Sequence, residues 1–538
     1  MGFSDLPGDV LLCIADQFDH YQDINSLAGS YRFAYRTLNP YLYRRAKNFI
    51  VFLSSHDGRD ATLRRALVEG ITAHGRTVAQ GQTPLLLAIQ QRHASTVKIL
   101  LQADGIDVHA KDSLNGWDAL VWAVNIGRVD ILTTLLGATT YDGDALGGAL
   151  VHAASVGFKE GFDILYKRKD IDLNMRNTDG NTALICSMAL DCCMDIAKVL
   201  IRDEKVNLNC EATSDKETPL SYFASKGNTE MVEYLLLFRD RIDIFHVDVF
   251  HRTALHKAVE RKSVPTCKLL LEACPDLINI ADQVGRTPLT IALQHEHWLY
   301  CHGWTNCGAL VNALVDHGKI DWEHKDLEGR TVLLHAASAN ITVTSSDTFI
   351  FKRLLKLAGD KHLSDRDYSG NTSLLRAARA GNHRIAQLLV QTKAVDPEQK
   401  NNAGETALMI AAGSECKQTV RVLLATKKIN INAHDNAGFT PLIHAVRRFR
   451  VETVGLLLEV PGIDVNQRDT LGWTPLIWTQ SKECMDHRDR DRRKKVAKML
   501  ISHGAVKEKK FFGLKGAWRW PENLYTPNNS RRDLRERI

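Results

Sequence analysis

Apolar residues recur along most of the chain in a fixed order within a repeated unit. Ten units open with a threonine-x-leucine phrase, and two degenerate copies end at Leu120 and Leu150. Each unit continues at helical spacing and reaches a second apolar stretch, which often ends in paired leucines such as Leu457 and Leu458. Because residues three and four positions apart share one face of a helix, each unit predicts two amphipathic helices. A polar turn containing glycine, such as Gly472, follows before the next unit begins.

The register of the unit is set by twelve anchoring leucines. Successive anchors are 35, 30, 34, 36, 35, 34, 44, 41, 34, 34 and 34 residues apart. One unit of two helices cannot bury its apolar face alone, so neighbouring units must stack to form a continuous core. The anchors are Leu85, Leu120, Leu150, Leu184, Leu220, Leu255, Leu289, Leu333, Leu374, Leu408, Leu442 and Leu476.

The residues around each anchor fit this interpretation. A threonine hydroxyl at a helix start accepts an otherwise unpaired backbone N–H, and proline is tolerated at the first helical position. The alanine three residues after the anchor lets neighbouring helices approach closely. Gly180, Gly285, Gly404 and Gly438 precede the phrase by two residues, where we expect the turn to require a positive φ.

The complete phrase, which reads Thr-Ala-Leu-His-Lys-Ala over residues 253–258, resembles the T-P-L-H-x-A signature of ankyrin repeats. The resemblance covers residues 80–506 and implies an all-α fold, an ankyrin-repeat solenoid of about twelve helix–turn–helix repeats with β-turn fingers. Residues 49–79 are expected to be a linker with a partial capping repeat, in which 61–70 form a single helix.

In ankyrin arrays the turn tips and the first helices line a concave face on which a protein target docks. The residue between glycine and threonine lies at the tip, and aromatic and arginine side chains dominate binding hot spots. The candidates for contact with an unknown protein target are therefore Trp117, Arg286, Arg330, Phe439 and Trp473. The alternative is that such an aromatic covers the next turn.

Residues 1–48 do not follow the repeat and predict a small domain of two or three amphipathic helices. They resemble an F-box, the module that docks a substrate receptor onto the Skp-type adaptor of a cullin–RING ubiquitin ligase. The whole arrangement is similar to fungal F-box–ankyrin proteins. By that resemblance the adaptor-binding residues are Leu6, Pro7, Val10, Leu11, Ile14, Ile24 and Leu27. The alternative is a helical cap that only seals the end of the array.

Two long intervals indicate insertions. The first contains three histidines and two cysteines within residues 295–307, but their spacing matches no known zinc motif, so packing or contact with a partner is the favoured interpretation. The second, residues 340–348, predicts a solvent loop. Residues 485–495 predict a charged extension of the last helix, and 492–495 are also a weak nuclear-localisation candidate.

Composition and charge exclude some classes of function and partner. Of 538 residues, 69 are basic and 63 are acidic, a balance that does not favour nucleic acid as a partner. The C-terminal tail, residues 507–538, holds nine basic and four acidic side chains with interspersed aromatic residues. Eleven irregularly placed cysteines are typical of reduced thiols. No signal peptide and no apolar run near the roughly 18 residues of a spanning helix is seen. We expect a cytoplasmic or nuclear protein that does not contact a membrane.

No catalytic constellation is found. The chain lacks the phosphate-loop, nucleophile-elbow and zinc-protease motifs, and Gly143–Gly148 lacks the lysine of a phosphate loop and is expected to lie in a repeat junction. His152, His256, His335 and His444 fall on first helices, where hydrogen bonds to a neighbouring turn are expected. The sequence therefore predicts a non-catalytic adaptor without a cofactor or metal. Either it recruits a target to a ubiquitin ligase, or it is a scaffold or inhibitor.

Overall fold

The computed structural model describes residues 49–68, 82–168, 171–189, 193–294, 307–317, 319–338, 345–392, 394–414, 416–426, 429–480 and 490–506. Two compact units divide these residues. The first comprises 49–292 and 307–320, and the second comprises 293, 294 and 321–506.

Helices occur in pairs along all of the described chain. In chain order the pairs are Phe49–Asp57 with Asp60–Val68, Pro84–Gln90 with Ala94–Leu101, Ala119–Asn125 with Val129–Ala138, Gly143–Val156 with Lys159–Tyr166, Ala183–Met188 with Met194–Arg202, Pro219–Lys226 with Thr229–Leu236, Ala254–Glu260 with Val264–Ala273, Pro288–Leu293 with Cys307–Asp316, Val332–Ser338 with Ser345–Ala358, Ser373–Ala380 with His383–Gln391, Ala407–Gly413 with Lys417–Leu424, Pro441–Arg447 with Val451–Leu458, and Pro475–Trp478 with Arg490–Ser502. Short 3₁₀ turns follow at Arg239–Arg241, Pro275–Asn279 and Asp360–Ser364.

Every first helix that has a threonine phrase begins where the phrase predicts. The hydroxyl of Thr440 accepts the backbone N–H of Ile443 at 3.2 Å, and that of Thr83 accepts the N–H of Leu86 at 3.3 Å. Proline occupies the first helical position after both threonines. The phrase therefore starts a helix by satisfying a donor that has no partner within the helix, as expected.

The helices form two layers within each unit. In the first unit, Pro219–Lys226 packs against the next first helix, Ala254–Glu260, while Val264–Ala273 packs against another second helix, Cys307–Asp316. First helices therefore contact first helices, and second helices contact second helices. The same order holds in the second unit, where the first helix Ala407–Gly413 packs against Pro441–Arg447.

The core lies between the two layers of each unit. All twelve anchor leucines are buried, as are the alanines three residues beyond most of them, such as Ala258 and Ala445. Burial of one leucine side chain contributes about 1.5–3 kcal/mol. Because the first helices that carry the anchors pack against those of neighbouring repeats, this contribution depends on stacking, as expected for a repeat array.

Three local expectations are corrected. The capping segment contains two helices, Phe49–Asp57 and Asp60–Val68, since the apolar run that begins at Phe49 forms a helix of its own with Val51 fully buried. The glycine-rich stretch 143–148 is not a junction loop but the start of the helix Gly143–Val156. The expected solvent loop 340–348 is helical from Ser345 onward, and its first part lies outside the described residues.

Among the described residues, none of the helices combines the length and the apolar character needed to cross a membrane.

Gly438 and Gly472 offer a test of how closely neighbouring repeats approach. Both have a φ of +77°. A Cβ at Gly438 would lie 2.7 Å from the backbone nitrogen of Thr470 in the following repeat, whereas one at Gly472 would meet nothing within 4 Å. We expect Gly472→Ala to cost about 1 kcal/mol through its left-handed backbone alone. Gly438→Ala should cost about 1–3 kcal/mol more, because the backbone of Thr470 must move.

The measurement is amide hydrogen exchange across the helices Pro441–Arg447 and Pro475–Trp478, since stability in an array is local. Equal loss of protection in the two variants would show that the contact with Thr470 does not contribute.

Candidate protein-binding surface

A tight turn that we call a finger precedes most first helices, and a buried acceptor holds it together. In the finger of residues 435–440, the Asp435 N–H donates to the Phe439 carbonyl at 3.1 Å. The Asp435 Oδ1 atom accepts the N–H groups of Ala437 at 2.9 Å and Phe439 at 2.8 Å. Asp435 is only 3% exposed, so its carboxylate acts as the core of the turn.

The same arrangement recurs in both units. An aspartate or asparagine accepts, through Oδ1, the N–H of the residue four positions later. These residues are Asn177, Asp248, Asp282, Asp326, Asp367, Asn401, Asp435 and Asp469. Sequence reasoning did not identify them, because it considered only the glycine and the tip residue of each turn. The available signal was an aspartate or asparagine five residues before eight of the ten phrase threonines.

The second carboxylate oxygen binds a polar side chain of the helix that follows. The donor lies nine residues after the aspartate, and it is a different residue type from one finger to the next. The Oδ2 atom of Asp326 accepts from His335 Nε2 at 2.9 Å, that of Asp435 from His444 Nε2 at 3.0 Å, and that of Asp469 from Trp478 Nε1 at 2.8 Å. His335 and His444 therefore orient their own fingers, which is a structural role.

These contacts set the charge states. Burial by itself raises the pKa of the Asp435 carboxyl, but the hydrogen bonds from His444 and from backbone N–H groups lower it below its ordinary value. The pKa of Asp326 is lowered in the same way by His335 and Arg330. The carboxylates of Asp326 and Asp435 are therefore ionised inside their fingers, where charge-assisted hydrogen bonds are stronger than neutral ones.

Successive fingers are joined edge to edge. In the second unit, the backbone N–H of Asn402 donates to the Ser369 carbonyl at 3.1 Å, that of Asn436 to Ala403 at 3.0 Å, and that of Thr470 to Ala437 at 3.1 Å. In the first unit, Gln283 donates to Phe250 at 3.0 Å. Within each unit, bonded tips therefore form a row in which one finger fixes the position of the next.

Both predicted arginines are bound within their own fingers. The Arg330 Nε donates to Asp326 Oδ2 at 2.7 Å, and its side chain is 19% exposed. The Arg286 Nε donates to Asp282 Oδ2 at 2.8 Å, and its side chain is 34% exposed. Each guanidinium stabilises its turn and keeps part of its surface exposed beside the tip, so contact with a partner stays a prediction.

Phe439 is not an exposed aromatic, and that expectation is corrected. The side chain is 3% exposed. Its ring meets that of Trp478 edge to face at 5.6 Å, and the Arg447 guanidinium lies 4.3 Å from its centre. Phe439 therefore covers the following repeat, which is the alternative that the sequence left open.

The two predicted tryptophans are half-buried. Trp117 packs edge to face against Trp122 at 5.0 Å and lies 4.7 Å from the ring of His152. Trp473 lies 4.8 Å from Trp478. Each presents part of its ring at the base of a finger, and a role in partner binding stays a prediction for both.

One group of three side chains has the composition of a metal site. The ligand atoms of Glu405, Asp435 and His444 lie within 4.8 Å of one another. Asp435 and His444 are hydrogen-bonded to each other in the finger, and Glu405 accepts from Asn401 Nδ2 at 2.9 Å. The finger network accounts for all three positions. Most of the His- and Cys-containing insertion, residues 295–306, lies outside the described residues.

The seven residues expected to contact an adaptor all lie outside the described residues. They are Leu6, Pro7, Val10, Leu11, Ile14, Ile24 and Leu27.

Comparison with known families agrees with this geometry. A family model described as Ankyrin repeats (3 copies) matches residues 51–145, 150–248, 224–303, 299–401 and 374–469, which together exceed half of the chain. A search of curated proteins gives no match. The predicted all-α repeat fold is confirmed by the family match together with the helix pairs of the structure.

The finger acceptor can be tested at Asp435. Replacement by alanine removes the acceptor of two buried backbone N–H groups and of His444, so we expect Asp435→Ala to destabilise its repeat by about 3 kcal/mol. Asp435→Asn keeps an Oδ1 acceptor, as Asn401 does in its own finger, and should cost about 1 kcal/mol. Hydrogen exchange of Pro441–Arg447 measures both. Similar losses in the two variants would contradict the role assigned to Oδ1.

His256 predicts a pH dependence of stability in the first unit. Its Nδ1 accepts the Thr253 N–H at 3.1 Å, its Nε2 donates to the Arg286 carbonyl at 3.3 Å, and burial lowers its pKa to about 4. An unfolded histidine takes up its proton near pH 6.5, so the folded repeat loses stability as the pH falls from about 6.5 towards 4, by up to about 1.4 kcal/mol per pH unit.

The measurement compares hydrogen exchange of Ala254–Glu260 at pH 7 and pH 5, corrected for intrinsic rates, in the parent chain and in His256→Gln. The variant should lose part of the pH dependence, since glutamine does not titrate. An identical pH response in both chains would overturn the assignment.

Proposed function

This chain belongs to the ankyrin-repeat family, and on that premise we propose that it is the substrate-recognition subunit of a cullin–RING ubiquitin ligase of the SCF type. Ankyrin-repeat proteins are generally non-catalytic, and the array is a protein–protein interaction module. In the proposal the array holds the target, and partner subunits supply the ligation chemistry.

The N-terminal sequence is the observation that carries the proposal. Residues 1–48 depart from the repeat, and they resemble the F-box in their Leu-Pro opening and in two apolar stretches that include Leu11 and Leu27. The family match begins only at residue 51, after this segment. A segment of different pattern in front of a binding array is the organisation of an adaptor, in which one part attaches to the ligase and the other to a target.

The mechanism we propose is a gain in effective concentration. A target bound along the array stays near the transferring enzyme, so its lysines meet that enzyme as if the reaction were intramolecular. The fingers suit this task because the bonded row of tips, including Ala403 and Asn436, orders a long surface before binding. An ordered surface lowers the entropic cost of association. Such a protein acts in the cytoplasm or the nucleus.

A capture experiment tests the proposal. We expect the intact chain to capture a purified Skp-type adaptor, and a chain lacking residues 1–48 to capture none. Leu11→Arg combined with Ile14→Arg should weaken capture by at least about tenfold, because two charges would enter an apolar contact.

Leu237→Arg serves as the matched control, because Leu237 lies on the array with 72% of its surface exposed. This variant should capture the adaptor like the parent chain. If the intact, folded chain captured no adaptor, residues 1–48 would be a structural cap, and the scaffold or inhibitor function would replace the ligase function.

A further inference from the structure

One finger is absent from the first unit. Residues 139–142 alone connect Val129–Ala138 to Gly143–Val156, whereas residues 102–118 connect the helices of the preceding repeat boundary. The helix Gly143–Val156 begins seven residues before its anchor, Leu150, while Ala119–Asn125 begins one residue before Leu120. The first turns of the helix Gly143–Val156 therefore occupy the position that a finger has in other repeats. The short interval of 30 residues between these two anchors is the mark of this change in the sequence.

The missing finger opens a groove between the fingers on either side, 112–117 and 177–182. Its volume is about 1330 Å³. Small-molecule sites usually measure about 300–1,000 Å³, so the groove is large enough for a peptide segment. Its floor includes Val121, Ile185 and Met188, and Gly148 lies along one side.

The edge of the second finger is left without its usual backbone partner. In six of the seven other fingers with this acceptor, the N–H that follows the aspartate or asparagine donates to the preceding finger, as Asn402 does to Ser369; within the described residues the finger of Asp326 is the exception. The equivalent N–H, that of Thr178, makes no such bond within the described residues, because the preceding finger is missing. Thr178 lines the groove. An open strand edge of this kind pairs with an added extended chain.

Two buried polar atoms beside this edge are also unpaired. The phenol oxygen of Tyr141 and the Oδ1 of Asn181 have no hydrogen-bond partner among the described residues, although both side chains line the groove. A buried polar atom without a partner costs about 1–3 kcal/mol. A polar ligand that reaches them after a small side-chain rotation would remove that cost.

The charge of the groove is negative. Only Lys111 and Arg176 line it as cations, and Arg176 already donates to the carbonyls of Gly180 and Glu211. Burial lowers the pKa of His152, so its imidazole is neutral at pH 7. Six acidic residues oppose them: Asp118, Asp142, Asp144, Asp179, Asp215 and Glu217.

Two of these acids are exposed and have no role within the fold. Asp118 and Asp142 cap helices, and Glu217 pairs with Lys257. Asp144 and Asp179 are exposed, and neither carboxylate makes a hydrogen bond or ion pair within the described residues. Together with the half-buried ring of Trp117, they match the chemistry of arginine and lysine, which bind carboxylates and stack on aromatic rings.

We propose that this groove binds an extended segment of a partner protein that carries arginine or lysine side chains. The backbone of the segment pairs with the open edge at Thr178, and its cationic groups lie on Asp144 and Asp179 and against Trp117. The inference rests on the proposed function, since it assigns one part of the array to one class of protein segment.

Gly148 allows the groove to be blocked without disturbing the fold. An added Cβ at Gly148 meets no atom within 4 Å, and the same is true of Gly137, which is exposed outside the groove. Both glycines lie inside helices, where glycine is the weaker helix former, so we expect either position to accept tryptophan. Gly148→Trp therefore fills the groove, and Gly137→Trp is its matched control.

The probe is a library of random nine-residue peptides displayed on phage. Peptides are selected on the full chain after removal of those that bind the Gly148→Trp chain. We expect the remaining peptides to be enriched in arginine and lysine. One synthesised member should bind at least about tenfold more weakly to Gly148→Trp and to Asp144→Asn/Asp179→Asn, with the loss in the second variant reduced at high salt.

Two control variants carry the same kinds of change outside the groove, one an added tryptophan and the other the loss of two negative charges. Gly137→Trp should bind the peptide like the parent chain, as should Asp104→Asn/Glu204→Gln, in which two exposed acids outside the groove are neutralised. Melting temperatures near that of the parent would show that all the variants are folded. Capture of the Skp-type adaptor by Gly148→Trp should be unchanged, so failure of the ligase proposal and failure of the groove proposal give different results.

Two results would overturn the groove proposal. One is a selected pool without basic enrichment, or no pool that separates the parent from Gly148→Trp. The other is binding of basic peptides only after removal of residues 507–538, which would assign the groove to the chain's own basic tail.

Discussion

The buried acceptor at the base of each finger is the contact on which the order of this surface depends. Asp435 and its counterparts bring a carboxylate or amide into the interior, where it closes the turn through Oδ1 and, in several fingers, reaches the following helix through Oδ2. A buried charge is tolerated only when it is fully hydrogen-bonded, so turn and helix must form together. Because the tips then bond to one another, the position of each finger constrains the next.

The row of fingers is interrupted at one repeat of the first unit, and the binding surface changes there. A repeat whose helix begins at Gly143 keeps the packing of the two helical layers but has no finger to add to the row. The helical core tolerates this change, since Leu150 is buried like the other anchors. The surface is altered, because the neighbouring finger is left with an open edge at Thr178. A local change in the turn thus converts part of a uniform face into a groove with its own charge and shape.

The functional proposals place different tasks on different parts of the chain. The ligase proposal depends on residues 1–48, whereas the groove lies among repeats of the first unit. An array of this kind needs no catalytic residue, and the polar groups with unusual environments have structural explanations. His256 links one repeat to the finger of the next, and His335 and His444 hold their own fingers. Burial within the fold lowers the pKa values of His256 and His335. Such shifts also occur outside active sites, so they do not indicate catalysis here.

The sequence by itself determined the repeat, its register and the start of the first helices that carry the threonine phrase, because these follow from local rules of periodicity and capping that Leu442 and Thr440 obey without reference to the rest of the chain. Only the tertiary structure decided which polar residues are buried and which aromatics are exposed. Phe439 and Trp473 occupy the same position of their phrases, yet Phe439 is covered by Trp478 and Trp473 is half-buried. The groove also could not be predicted from the sequence, because it lies between two fingers that are far apart in the sequence and lack the finger between them.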